Sequence, residues 1–190
     1  MTQRDQVDRR PDTDRTVDRA VDREADRPPV ADAPVPLVPA PSPEIRALTT
    51  RECEALLRRN QVGRIAFSFD RRVEILPIHY VYDDGWLYGR TSPGDKIAMW
   101  RHSHWVAFEV DEVRGLFDWA SVVVHGALYL LRPEETEANA AEWERAVGLL
   151  RRLLPETAGM HDPVPHRNIV FRIHADHMDG RMALPPPPPA

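Results

Sequence analysis

Two residue types are almost missing from this chain of 190 residues: cysteine occurs once, as Cys53, and lysine once, as Lys96, among 25 lysines and arginines. A lone cysteine excludes an internal disulfide framework and fits a reducing compartment, so the expected location is cytoplasmic. No apolar run is long enough to span a bilayer, and none near the N-terminus has the form of a signal peptide. Excess positive charge is missing as well: the formal net charge is -5, and every cluster of arginines is interleaved with acids. Without a basic field there is nothing to draw a nucleic-acid backbone or an anionic membrane, and neither partner is expected.

What is present is unevenly distributed. Residues 1–43 run through "VDRR", "TVDRA" and "VDREADR" into "PPVADAPVPLVPAPSP", with few aliphatic side chains. Such a segment buries too little apolar surface to offset its ordering entropy, and a disordered charged and Pro-rich tail is expected. "LPPPPPA" at 184–190 predicts a second Pro-rich tail. Between them, residues 44–183 form the expected single folded domain.

Within that domain "TTRECEALLRRN" places Thr49 three residues before Glu52, a capping-box spacing, and sets Cys53, Leu56 and Leu57 on one side of a short helix. On that face Cys53 reads as a buried structural thiol. "VGRIAFSF", "VEILPIHYVY" and "WLYGR" predict three antiparallel strands, with Pro77 marking an edge, a bulge or a bend. "DKIAMWRHS" predicts a short helix, "WVAFEVDEV" and "DWASVVVHGALYLL" two further strands, residues 134–154 the longest helix, and "NIVFRIHADHM" one last strand. The order α-β-β-β-α-β-β-α-β is that of a mainly β protein, an antiparallel barrel with peripheral helices, and not of a doubly wound parallel sheet.

The single lysine sits in "GRTSPGDK". Ser92-Pro93-Gly94 suits a tight turn, after which a helix begins whose first amides lack intrahelical partners. Lys96 with Arg90, Thr91 and Ser92 has the makings of a site for one phosphate monoester. The plain alternative is a turn and a helix cap with Lys96 in solvent, and Asp95 counts against an anion unless it points away. The histidines His79, His102, His104, His125, His174 and His177 show no zinc-type spacing, so no metal is expected. Trp100 and Trp105 read most simply as core or subunit interface.

"PIHYVYDDGWLYGRTSPGDKIAMWRHSHWVAFEVDEV" followed by "DWASVVVHGALYLL" resembles the pyridoxamine 5'-phosphate oxidase-like FMN-binding split-barrel family, in its nitroimidazole-resistance-type branch. The likeness extends over about residues 44–180. It implies a split β-barrel forming a homodimer, with FMN in a groove between two barrels. It also implies that Leu76, Pro77, Ile78 and His79 line the flavin, that Arg90, Thr91, Ser92 and Lys96 hold its phosphate, and that Ser121, with Trp119 nearby, reaches the pyrimidine edge. The expected function is a flavin-dependent oxidoreductase acting on a small molecule, with NAD(P)H as a possible electron donor. The alternative is a non-catalytic carrier or sensor of flavin, deazaflavin (F420) or haem. Relatives of the nitroimidazole type tend to carry His where this chain has Arg90, so reduction of nitro compounds is not implied. "VFRIHADHMDGRMALPPPPPA" lacks the Trp of authentic pyridoxamine phosphate oxidases, which argues against that substrate. No catalytic acid or base stands out, and His79 is the nearest candidate for moving a proton.

Overall fold

The computed structural model describes residues 42–186, so most of the expected N-terminal tail and the end of the C-terminal one lie outside the described residues. Eleven elements follow in order: β1 (Glu44–Ala47), α1 (Thr50–Arg59), β2 (Val62–Phe69), β3 (Arg72–Asp83), β4 (Trp86–Thr91), α2 (Asp95–His102), β5 (Trp105–Gly115), β6 (Asp118–Leu131), α3 (Glu137–Leu150), β7 (Ile169–His174) and β8 (His177–Leu184). All neighbouring strands are antiparallel.

The strands run β1-β8-β6-β5-β2-β3-β4-β7, and an additional β6–β7 pairing closes β2 to β7 into a barrel. Closure pairs β6 with β7 and so removes the edge at β7, while β1 stays an outer edge of the sheet. It depends on the two longest strands changing partners midway. The first part of β3 pairs with β2 as far as His79, and from Tyr80 onward it pairs with β4. The first part of β6 pairs with β8 up to His125, and its end pairs with β7 from Leu128.

Local chemistry explains both changes. The Tyr80 amide donates to the Gln61 carbonyl at 3.0 Å, and amides alternate in direction along a strand. Pro77, an odd number of residues earlier, therefore turns its donorless nitrogen away from β2, where no ladder bond is missed. On β6 the change falls at Gly126, where a Cβ would come within 1.7 Å of the His174 carbonyl oxygen. Only glycine admits that approach.

The segment expected as one last strand is two. From Ile173 to His177 the chain advances four residues while its β6 partners move only from Leu128 to His125, a bulge that lets the line bend. Asp176 holds the bend, accepting from the Ala127 amide at 3.2 Å and bonding His174 Nδ1 at 2.6 Å. β1, also unexpected from sequence, extends the sheet beyond β8.

The barrel interior is filled by Ile65, Tyr80, Phe108, Val122, Val124 and Ile173, all essentially inaccessible to solvent. The helix α1 adds Cys53, Leu56 and Leu57 to this core. Its start is fixed by the expected capping box: Thr49 N donates to Glu52 Oε2 at 2.8 Å, and Glu52 N donates to Thr49 Oγ1 at 3.3 Å. A second core joins α3 to β4 and β7 through Tyr88, Ala146, Val147, Leu150 and Val170. That helix runs Glu137–Leu150, shorter at both ends than the expected 134–154; hydrogen-bonded turns continue to Leu154, where Pro155 disfavours further helical backbone.

Candidate functional site

The turn after β4 presents α2 with an uncapped start. Gly94 occupies the N-cap with φ 155°, no side chain caps the helix, and a Cβ at Gly94 would meet nothing within 4 Å. The first amides of α2, at the positive end of its dipole, therefore receive no side-chain cap. Lys96 and Ser92 are half-buried beside them, Thr91 is buried, and Asp95 is exposed. The helix is seated by Trp100, whose ring meets Phe67 and Phe171 edge to face at centroid distances of 5.8 and 5.3 Å.

On β3 the four candidates divide by strand periodicity. Ile78 is buried, Leu76 packs partly against the core, and Pro77 and His79 stand exposed on the opposite face. Residues directly opposed across a sheet share a face, so the pairs Pro77–Arg64, Arg64–Glu109 and Glu109–Val123 carry that outer face across to β6. Ser121 and Trp119 lie on the same side of β6, alternating with the buried Val122. Three interstrand steps separate them from β3, on the order of 14 Å along the sheet. One chain therefore does not bring Pro77 and His79 together with Trp119 and Ser121. Besides the Arg64, Glu109 and Asp111 ion pairs, the outer face carries exposed apolar side chains: Val73, Ile75 and Trp105 are 68%, 61% and 67% exposed.

Arg90 is engaged differently from the sequence expectation of a fork open to an anion. Extending the β3–β4 register by one pair sets it opposite His79. Its guanidinium pairs with Asp162, to which Nη2 donates at 3.1 Å, and the two side chains are only 11% and 4% exposed. Asp162 also accepts from the amides of Ala158 at 2.8 Å and Val164 at 3.0 Å. The guanidinium, helped by those amides, holds this carboxyl well below the usual carboxylate range. A guanidinium has five N–H donors, so donors remain on Arg90 beyond those spent on Asp162.

Beside the pair lies a cleft of about 340 Å³. Leu150, Leu153, Leu154, Pro163 and Val164 wall it; His79, Arg90, Thr157 and Arg167 supply its polar atoms. Sequence reasoning missed Asp162, Thr157 and Arg167. The "HDPV" segment does carry the signal of an Asx turn, seen here as the Val164 amide bonding back to Asp162. Its long-range partner on β4 leaves no local mark. Of the histidines, His104 is exposed and the His102 side chain lies outside the described residues. His125 and His177 stack at 6.4 Å on the outer face. Among the described residues no group of three or more His, Cys, Asp or Glu side chains is placed to hold a metal ion. No helix there is long and apolar enough to cross a membrane.

The closed antiparallel barrel, with two strands shared between its halves and an uncapped helix at its rim, is a split barrel. A family model described as pyridoxamine 5'-phosphate oxidase matches residues 49–182, and the chain belongs to that family. An uncharacterised protein of Rhizobium meliloti is 29% identical over 147 residues, covering 73% of this chain and 95% of its own length. Among solved structures, a FAD-binding protein from Mesorhizobium loti is similar with TM-score 0.60 and 29% identity, over 74% of this chain and 99% of that one. A FAD binding protein from Mycobacterium smegmatis is similar with TM-score 0.51 and 25% identity, over 72% and 99%.

Proposed function

We propose that this protein binds a flavin nucleotide, FMN, and acts as a flavin-dependent oxidoreductase on a small molecule. The observation that carries the reading is the uncapped start of α2, with Lys96, Thr91 and Ser92 around it, in a chain whose similar solved structures include FAD-binding proteins. These residue types suit a phosphate group: a helix start without a side-chain cap, two hydroxyls and one ammonium lie within a few residues of one another.

The separation of the two outer-face clusters supports a homodimer, in which Pro77 and His79 of one chain meet Trp119 and Ser121 of a second copy. The exposed Val73, Ile75 and Trp105 give such an interface its apolar area. When bound, the flavin supplies hydride chemistry at its N5, with NAD(P)H as the proposed electron donor. The chain's own contributions are to grip the phosphate at α2, to orient the ring against Pro77, and to exclude water by pairing two barrels. His79 stands where an imidazole can hold or release a proton beside the ring.

The test is a visible spectrum of the purified protein, followed by titration with FMN and then NADH or NADPH. A flavin spectrum bleached by the reductant supports the oxidoreductase. Bound flavin indifferent to both reductants and to added oxidants supports a carrier or sensor. A deazaflavin spectrum or a Soret band assigns a different cofactor, and a colourless protein that ignores FMN overturns the reading.

A further inference from the structure

A flavin gripped at α2 and laid on the outer face of β3 engages His79 but leaves the rest of the cleft beside Arg90, from Leu150 to Arg167, without a role. We propose that this cleft binds a small organic monoanion with an apolar body, a carboxylate carrying an aliphatic or aromatic group. As a substrate pocket next to a flavin ring the proposal rests on the flavin reading; as a binding site it stands on the geometry of the cleft.

Size is the first support. About 340 Å³ lies at the small end of the range that holds ligands of this kind. The lining is the second: Leu150, Leu153 and Leu154, at the end of α3 and just beyond it, face Pro163 and Val164 across an apolar gap. Leu153, Leu154 and Val164 keep part of their surface open to solvent, area that an apolar ligand would cover.

Charge selects the head group. Two arginines line the cleft, Arg90 nearly buried and Arg167 exposed. Asp162 neutralises Arg90, whereas Arg167 has no carboxylate partner among the described residues. One uncompensated positive charge matches one negative charge, so a carboxylate suits the site better than a phosphate dianion. Because Arg90 is fixed by its ion pair, its spare donors are pre-oriented, and Arg167 closes on the anion from the open side.

The experiment titrates the full chain with octanoate, octanol and octylammonium by calorimetry. Octanoate is expected to bind at least about tenfold more tightly than octanol, and octylammonium not to bind. Arg167→Gln should weaken octanoate by about tenfold or more without moving the melting temperature, while Leu153→Glu should abolish both octanoate and octanol binding. Equal affinity for all three probes, or octanoate affinity unchanged in Arg167→Gln, overturns the proposal. FMN titration of the same samples separates the two readings. FMN binding without octanoate binding removes this proposal alone, and octanoate binding without FMN removes the flavin reading while the anion site stands.

Discussion

Arg90 and Asp162, 72 residues apart in the chain, form a largely buried ion pair that fastens the loop after α3 to the rim of the barrel at β4. The two backbone amides that Asp162 also accepts make its carboxylate the knot of that loop. Removing its charge leaves a guanidinium in a desolvated place without a counter-ion. Asp162→Asn is therefore expected to cost about 1.5 to 3 kcal/mol, the worth of charge-assisted hydrogen bonds. In a domain of this size that is a fall in melting temperature of roughly 3 to 10 °C. Adding Arg90→Gln should return part of the loss, and calorimetry of the single and double variants checks the coupling.

Acid sensitivity follows from three depressed carboxyls. Besides Asp162, Glu112 is brought down to about 2, first by the hydrogen bond from Arg59 and then by that from Asn60. Glu52 is brought down to about 2 by Arg46 first and then by Thr49. A carboxyl whose folded pKa lies below its unfolded value of about 4 contributes stability that is fully present above the unfolded value. That stability is lost as pH falls through the folded pKa. Unfolding free energy should thus hold steady from pH 7 to about 5 and drop between about pH 4.5 and 2. Glu112→Gln should make that drop shallower by up to about one proton per molecule, read from urea unfolding across the pH series. A slope identical to that of the original protein contradicts the assignment.

The partner change of β6 depends on Gly126. Gly126→Ala would drive a methyl group into the His174 carbonyl and is expected to cost about 3 kcal/mol, near the top of the range for overpacking. Gly148, on the exposed side of α3 with nothing near its missing Cβ, is the control. There Gly148→Ala should gain about 0.5 to 1 kcal/mol through helix propensity and a less disordered unfolded chain. Denaturant midpoints for the two variants should move in opposite directions.

Lys96 is the charge at the proposed phosphate grip. Lys96→Ala should weaken FMN binding by about 10- to 100-fold, the equivalent of a lost charge-assisted contact. Fluorescence quenching titrations measure it. Unchanged curves would return Lys96 to the role of a solvated helix residue.

The exposed apolar side chains on the outer face offer a test of assembly. Ile75 is exposed, so Ile75→Glu should leave the barrel folded while placing a charge in the proposed interface. Light scattering should report a dimer for the original protein and a monomer for the variant, with FMN affinity falling in parallel. A variant that remains dimeric places the interface elsewhere.

Several features were legible because they are written in neighbouring residues. The capping box at Thr49 and Glu52 set the start of α1, and Asp84-Gly85, both with positive φ, made the turn between β3 and β4. The turn at Ser92-Pro93-Gly94 released α2 where expected, with Lys96 in its first turn. The split between β7 and β8 was not legible, because "NIVFRIHADHM" keeps a strand-like composition through a bulge that exists only against β6. Arg90 shows the same limit from the other side. Its type and position suggested an anion fork, but its principal partner is decided by a loop that returns from α3.

By itself the amino-acid sequence determined the mainly β character, the order of most elements, a short helix bearing the single lysine, and a resemblance strong enough to name the family. Those properties depend on periodicity, capping and turn chemistry, which act over a few residues. Only the tertiary structure decided that β6 is shared between β7 and β8, that Pro77 and His79 lie three strands from Trp119 and Ser121, and that Asp162 claims Arg90. Each of these is a pairing between distant segments. The packing of the whole barrel chooses such partners, and no window of the chain contains both.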